Sequence, residues 1–362
     1  MNNKTILLTA LLAAVSANTN AQDKFSTLAE HLPKKGVPTE LQLKYEGGIP
    51  VINENFILAE SDKYFFEQQE YSGINNFEHD KNLTTPESQT VVRQNRDTLY
   101  SKGVFDTAGG AKFELPIHDT YQSMQIIDEQ HRTVAVLYAE IGKNKITVTP
   151  DMLSSGDHVW IVIRTQVKSM AESDLNVGRL KQHMVKATVA SAYPYVAKGF
   201  DQQSRENIRI AEEKNILKVD FVEAFGAPGS ERVKSFDARV ATAMGFGGLP
   251  SEHAYYKVLL AEDRSGTCQT MTFEQPPLQE KGFFSITTYG PDAYIHAYNY
   301  ATSSREIKPN NDGTITVNFN CEGAINNLDV LAGWTGVLRM YMPQDLNEIV
   351  EYAKTVKMPH SI

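Results

Sequence analysis

Residues 121–165 read YQSMQIIDEQHRTVAVLYAEIGKNKITVTPDMLSSGDHVWIVIRT. Short runs of β-branched, aromatic and alternating residues (YQSMQIID, TVAVLYAEI, KITVTP, HVWIVIRT) are separated by clusters of Gly, Asn, Asp and Pro, the punctuation of an antiparallel β domain. The same texture reaches back to about residue 88 through TVVRQ and KFELPI. Upstream, VINENFILAESDKYFFEQQE at 51–70 places Val51, Ile52, Phe56, Leu58, Ala59, Phe65 and Phe66 for an amphipathic helix, with Asn53 as its N-cap. Downstream, Leu175, Leu180, Met184, Val185 and Val189 recur at three-to-four spacing and predict further helix through about residue 219.

The Gly- and Pro-rich stretch Phe225 to Pro250 reads as a domain connection. After it, YYKVLLAE, TCQTMTFE, GFFSITTYG, AYIHAYNY, TITVNFNCE and GVLRMYMP predict a second set of strands, with NNDG at 310–313 as a hairpin turn. A last helix is expected near Asp345 to Thr355. The reading is therefore mainly β with helices, an α+β chain of two antiparallel β-sandwich or jelly-roll-like domains. It assigns 1–21 to a leader, 45–170 to the first sandwich with its helix, 171–250 to a helical connection, 251–345 to the second sandwich and 346–362 to a helix and tail.

The leader rests on Lys4, the ten-residue apolar run Ile6 to Val15 and small residues at Ser16, Ala17 and Ala21, a secretory signal pattern cleaved after Ala17 or Ala21. The apolar run is too short to span a bilayer, which takes ~20 residues, so the expectation is a periplasmic or secreted protein without membrane insertion. Lys and Arg number 35 against 44 Asp and Glu, for a net charge of −9. Without a basic excess, nucleic acid is not expected as a partner. In an oxidising compartment Cys268 and Cys321 form either a disulfide or two buried small hydrophobes; neither has the spacing of a metal site.

No G-x-S-x-G, H-E-x-x-H, P-loop or G-x-G-x-x-G signature occurs, which disfavours the corresponding hydrolases, zincins, nucleotidases and dehydrogenases. The densest polar run is RQNRDTLYS at 93–101. In it Arg93 or Arg96 suits a bidentate grip on a carboxylate, Asn95 and Asp97 offer oxygens, and Tyr100 offers a phenol. These residue types equally suit turn bonds and structural ion pairs. His79 and His131 are candidates to converge with that run for acid/base work or, with Asp97, as metal ligands, though three separate segments give no diagnostic spacing. In the second domain Trp334 offers a cover for a ligand, and Arg339 and Tyr341 share one strand face.

The run VVRQNRDTLYSKGVFD, with INNFEH before it, YQSMQIIDEQH after it and IRT at 163–165, resembles a bacterial family known as domain of unknown function 1254. MGFGGLPSEHAYY, GFFSITTYG, NNDGTITVNFNCE and GWTGVLRMYMP resemble its partner, domain of unknown function 1214. The resemblance implies two sandwich domains, export and a homo-oligomer, and maps recurrent positions onto His79, Arg93, Asn95, Arg96, Asp97, Thr98, Tyr100, His131, Trp334, Arg339 and Tyr341 without giving them roles or naming a cofactor. Two expectations follow. One is a ligand-binding or structural protein taking a small molecule through Arg93, Asn95, Arg96, Trp334, Arg339 and Tyr341. The other is a hydrolase of a small anionic or polar substrate with Asp97 and His131 as acid/base and Tyr100 orienting.

Overall fold

The computed structural model describes residues 48–261 and 263–361, so the leader pattern at 1–21 lies outside the described residues. The first expected helix is α1 (Phe56–Ser72). It starts after Asn55 rather than Asn53, because Asn55 Oδ1 accepts the Ile52 backbone N–H (2.8 Å) and fixes the entering chain. Strands β1 (Glu78–His79), β2 (Thr98–Asp106), β3 (Ala111–Glu114), β4 (Gln122–Ile127), β5 (Thr133–Tyr138), β6 (Lys145–Val148) and β7 (His158–Gln166) follow. Helix α2 (Glu172–His183), β8 (Lys186–Val189) and helices α3 (Gln202–Glu213), α4 (Phe221–Ala224) and α5 (Ser235–Met244) lead to the second half.

A five-stranded antiparallel sheet in the order β1-β2-β7-β4-β5 packs on a three-stranded sheet in the order β6-β3-β8. Phe105, Phe113, Met124, Ile126, Ile161 and Ile163 fill the space between them. Each such side chain, fully withdrawn from water, contributes about 1.5–3 kcal/mol. Two details differ from the expectation. The chain beyond residue 170 returns to the first sandwich, since β8 pairs with β3 from Ala111↔Val189 to Glu114↔Lys186. The apolar spacing at 175–189 is split: Leu175 is buried and Val185 and Val189 pack on the first core, but Leu180 and Met184 stand 65% and 57% exposed.

The second half contains β9 (Ala254–Leu259), β10 (Gln269–Phe273), β11 (Leu278–Tyr289), β12 (Ala301–Ser303), β13 (Ile315–Phe319), β14 (Asn327–Leu328), β15 (Thr335–Pro343), α6 (Leu346–Thr355) and β16 (His360–Ser361). Sheets in the orders β12-β11-β15-β9 and β14-β13-β10-β16 enclose Met271, Phe284, Ile286, Val317, Leu338 and Met340, with Ile349 of α6 against the same core. The β16 strand puts the chain's tail into the sheet beside β10, and the Cys268–Cys321 disulfide ties the approach to β10 to the end of β13. The chain is thus α+β and largely antiparallel, as expected; β13 with β14 is a short parallel pair.

The central strands β2, β4, β7 and β15 are buried almost throughout. One face of each belongs to its own sandwich core; the other is covered by the opposite half and by helices, which is why VWIVI is continuously apolar rather than alternating. On β7, Val159, Ile161 and Ile163 enter the first core, while Trp160 and Val162 turn the other way toward Phe246.

Candidate functional site

A cavity of about 110 Å³ lies between those second faces. One wall is β2 and β7, through Tyr100, Trp160, Val162 and Arg164; the opposite wall is β15 and β9, through Val337, Arg339, Tyr341 and Tyr256. The loop Val91 to Asn95 and the turn Met244 to Gly248 close it. At roughly 10–15 Å³ per water, the space holds about seven to eleven waters, or a molecule of about ten heavy atoms. A more open cleft of about 370 Å³ lies beside Tyr121 and Phe283; its carboxylates Asp119 and Glu280 stand at the surface, while Arg305 is half-buried and donates to the Asp97 carbonyl (2.7 Å).

Two buried arginines face each other across the small cavity. Arg164 donates to Gln125 Oε1 (3.0 Å) and the Gly247 carbonyl (2.6 Å). Arg339 donates to Thr287 Oγ1 (3.1 Å), Tyr289 OH (2.7 Å) and the Arg93 carbonyl (2.7 Å). They are 6% and 5% exposed, and among the described residues neither has a carboxylate within ion-pair distance. A guanidinium stays charged and has more N–H donors than these bonds use. The Asp97 carboxylate behind Tyr341 acts on Arg339 electrostatically, but neither guanidinium has a carboxylate in contact among the described residues, so the cavity favours an anion.

Local sequence explains their placement. On β7 the alternation that sends Val159, Ile161 and Ile163 inward sends Arg164 outward beside Trp160 and Val162. On β15, Leu338 and Met340 turn to the second core and Arg339 and Tyr341 to the cavity, as the shared-face reading expected. Arg93 holds the loop in the left-handed region (φ 53°), where its guanidinium meets Glu213 bidentately at 2.7 and 2.8 Å. Gly247 at φ 85° makes the turn opposite.

A hydrogen-bond chain joins the two halves behind this cavity. Tyr100 OH donates to Asn95 Oδ1 (2.7 Å), Asn95 Nδ2 to Tyr341 OH (2.7 Å), and Tyr341 OH to Asp97 Oδ2 (3.3 Å), which Ser285 Oγ also reaches. Burial raises the phenol pKa of Tyr100, of Tyr256 and of Tyr341. All three remain protonated donors at neutral pH.

Arg93, Asn95, Tyr100, Arg339 and Tyr341 therefore meet at the cavity. The other expected residues do not line it. Arg96 donates to the Ala301 carbonyl and pairs with Glu306. Asp97 lies behind Asn95 and Tyr341, held by Ser285. His79 bonds Ser101 Oγ (2.7 Å) on β2, one residue along from Tyr100 and so on the other face of that strand. Trp334 is fully buried in the second core against Phe319 (4.7 Å between centroids), where it packs rather than covers a ligand.

His131 is the clearest correction. Its ring is sandwiched against Phe246 at 4.3 Å, its Nε2 accepts the Gly247 N–H (2.9 Å), and its Nδ1 therefore carries the proton that meets Thr242 Oγ1 (2.7 Å). Burial, with Arg132 nearby, drives its pKa down to about 3. It is a neutral peg that sets the Phe246–Gly247 turn, and it is too far down the pH scale for acid/base exchange at neutrality. The expected convergence of His79, Asp97 and His131, whether for catalysis or for a metal, does not occur.

Arg164, Trp160 and Tyr256 went unassigned at the sequence level. The available signal was a lone cation closing the unbroken apolar run VWIVI, since a charge there is rarely tolerated without a purpose.

Residues 74–187 match the family described as a protein of unknown function, DUF1254. Among solved structures, the VPA0106 protein from Vibrio parahaemolyticus is similar over 85% of this chain and 96% of its own, at 16% identity and a TM-score of 0.59. An uncharacterised protein from Burkholderia cenocepacia aligns over 90% of this chain and 92% of its own, at 13% identity and a TM-score of 0.49. No curated protein matches the chain. The Vibrio likeness shows the fold. No helix among the described residues is long and apolar enough to cross a membrane.

Proposed function

We propose that this is an exported ligand-binding protein whose cavity between the two sandwiches takes a small anion. One observation carries the reading: among the described residues, Arg164 and Arg339 line the cavity buried and with no carboxylate in contact, and no Asp, Glu or His lines it with them. The site is rich in donors and lacks a group that titrates near neutrality, so it is suited to hold an anion rather than to move a proton. Export is supported by the leader pattern and by the disulfide, which belongs to oxidising compartments. The four motifs between Met244 and Pro343 support assigning the C-terminal half to domain of unknown function 1214.

Native mass spectrometry of gently purified protein tests the reading. A bound small acid is expected on the wild type and absent from Arg164→Gln and Arg339→Gln variants that melt as cooperatively as the wild type. Retention of the same ligand by both variants would remove the arginines from the site and the proposal with them.

A further inference from the structure

We infer that the ligand is a flat aromatic carboxylate carrying a second oxygen on its ring, a hydroxybenzoate-like acid. The inference rests on the anion-binding reading and specifies what the rest of the cavity selects. Besides the two arginines, the lining is dominated by rings: Tyr100, Trp160, Phe225, Phe246, Tyr256 and Tyr341. Phe246 is fixed in place between the Tyr64 ring (4.5 Å) and the His131 ring (4.3 Å), and it meets Trp160 in a T-shaped contact at 5.2 Å. A rigid slot of ring faces and edges suits a planar π-system better than a flexible aliphatic chain, because offset and edge contacts favour aromatic partners beyond the area they bury.

Polarity sets the ends of the ligand. Tyr100 and Tyr256 each lie within electrostatic range of both guanidinium groups, so the arginines act on one region of the cavity, where the carboxylate belongs. Trp160 is 5% exposed, yet its indole N–H finds no acceptor among the described residues. The Arg93 Nε–H is a second buried donor without one. A buried donor left unmade is destabilising; the sealed Trp334 N–H is also without an acceptor among the described residues, so it is the place of Trp160 and Arg93 in the cavity lining that makes a ring hydroxyl or ether oxygen of the ligand their natural acceptor. A volume fitting about ten heavy atoms matches one ring, one carboxylate and one such substituent.

The chain has two tryptophans, and Trp334 is sealed in the second core, so a ligand-dependent change in tryptophan emission reports Trp160. The test is a fluorescence titration of the full-length mature protein with 4-hydroxybenzoate, benzoate, cyclohexanecarboxylate, 4-hydroxybenzyl alcohol, acetate and inorganic phosphate. Saturable quenching by 4-hydroxybenzoate is expected, with benzoate and cyclohexanecarboxylate weaker and the alcohol weaker by about ten- to a hundredfold, the range of a hydrogen-bonded charge. Trp160→Phe should abolish the signal and weaken binding read by calorimetry, while Trp334→Phe should leave both unchanged.

The outcomes separate the two readings. If cyclohexanecarboxylate equals 4-hydroxybenzoate, or if acetate or phosphate binds and the aromatic acids do not, the aromatic inference falls and the anion reading stands. If the alcohol equals the acid, the anion reading falls. If none of the six binds, both fall. The panel is read on wild-type protein, so it does not depend on any variant folding.

Discussion

Replacing His131 by Gln is predicted to flatten the acid side of the protein's stability profile. At neutral pH the imidazole is uncharged in the folded chain, with its Nε2 accepting from Gly247 and its ring against Phe246. On acidification the unfolded chain takes up a proton near the ordinary value of 6.5, whereas the folded site resists until about 3. Between those values the unfolded state binds more protons, so stability is lost as the pH falls through that window and is fully present above it. The ring is 6% exposed, so solvent screening is slight. The two values give a loss on the order of 3 kcal/mol between about pH 7.5 and 4.5, and about 5 kcal/mol below the folded pKa. The assay is urea unfolding at a series of pH values, wild type against His131→Gln. His79, His118 and His253 also have lowered pKa values from burial, so the variant keeps a residual slope and the difference between the two curves isolates His131. Near neutrality the variant should be weaker by about 1–3 kcal/mol for the lost bonds and stacking, and the gap should close by about pH 4.5 and reverse below it. Parallel curves across the window would refute the reasoning that His131 is a buried neutral peg.

Three other outcomes are expected. Replacing Cys268 and Cys321 together by Ala opens a loop of 53 residues of separation; chain entropy puts the loss at ~4 kcal/mol, read as a lower urea midpoint that reductant reproduces in the wild type. Tyr341→Phe removes the hydroxyl between Asn95 and Asp97 and leaves two buried polar groups short of a partner, a loss of about 1–3 kcal/mol seen in thermal unfolding. Trp334→Ala hollows the second core and should destabilise by about 3–5 kcal/mol, with ligand affinity of the folded fraction unchanged by calorimetry.

The strands and the outer helices were legible because their signals are local. Short β-branched, aromatic and alternating runs between Gly, Asn and Asp clusters marked β4, β5, β6, β7, β11, β13 and β15, whereas TVVRQ at 90–94 and AYIHAYNY at 293–300 form no strand and β2 begins inside the polar run that hid it; α6 starts where expected, with Asp345 accepting from Asn347 and Glu348. The NNDG segment turns tightly, with Gly313 at φ 87°, but only β13 flanks it, so it is a turn without the expected hairpin. Spacing alone misread Leu180 and Met184, because their period fits a helix whose apolar stripe the fold leaves outside. The candidate site was half legible. The polar run beginning at Arg93 supplies Arg93, Asn95 and Tyr100 to the cavity, and strand alternation paired Arg339 with Tyr341. What a single sequence withholds is which faces meet. Arg164 and Arg339 are 175 positions apart, and their opposition exists only once the two sandwiches dock. His131 failed for a related reason: beside Asp128, Glu129 and Arg132 it reads like a catalytic loop histidine, and only the covering turn at Gly247 makes it a structural one.

The most direct test of the central claim is isothermal titration calorimetry of a small aromatic carboxylate into the wild-type protein and into the Arg164→Gln/Arg339→Gln double variant at low ionic strength. The account predicts saturable binding to a single site in the wild type and none in a double variant that still unfolds cooperatively. Equal binding by the two proteins would contradict it.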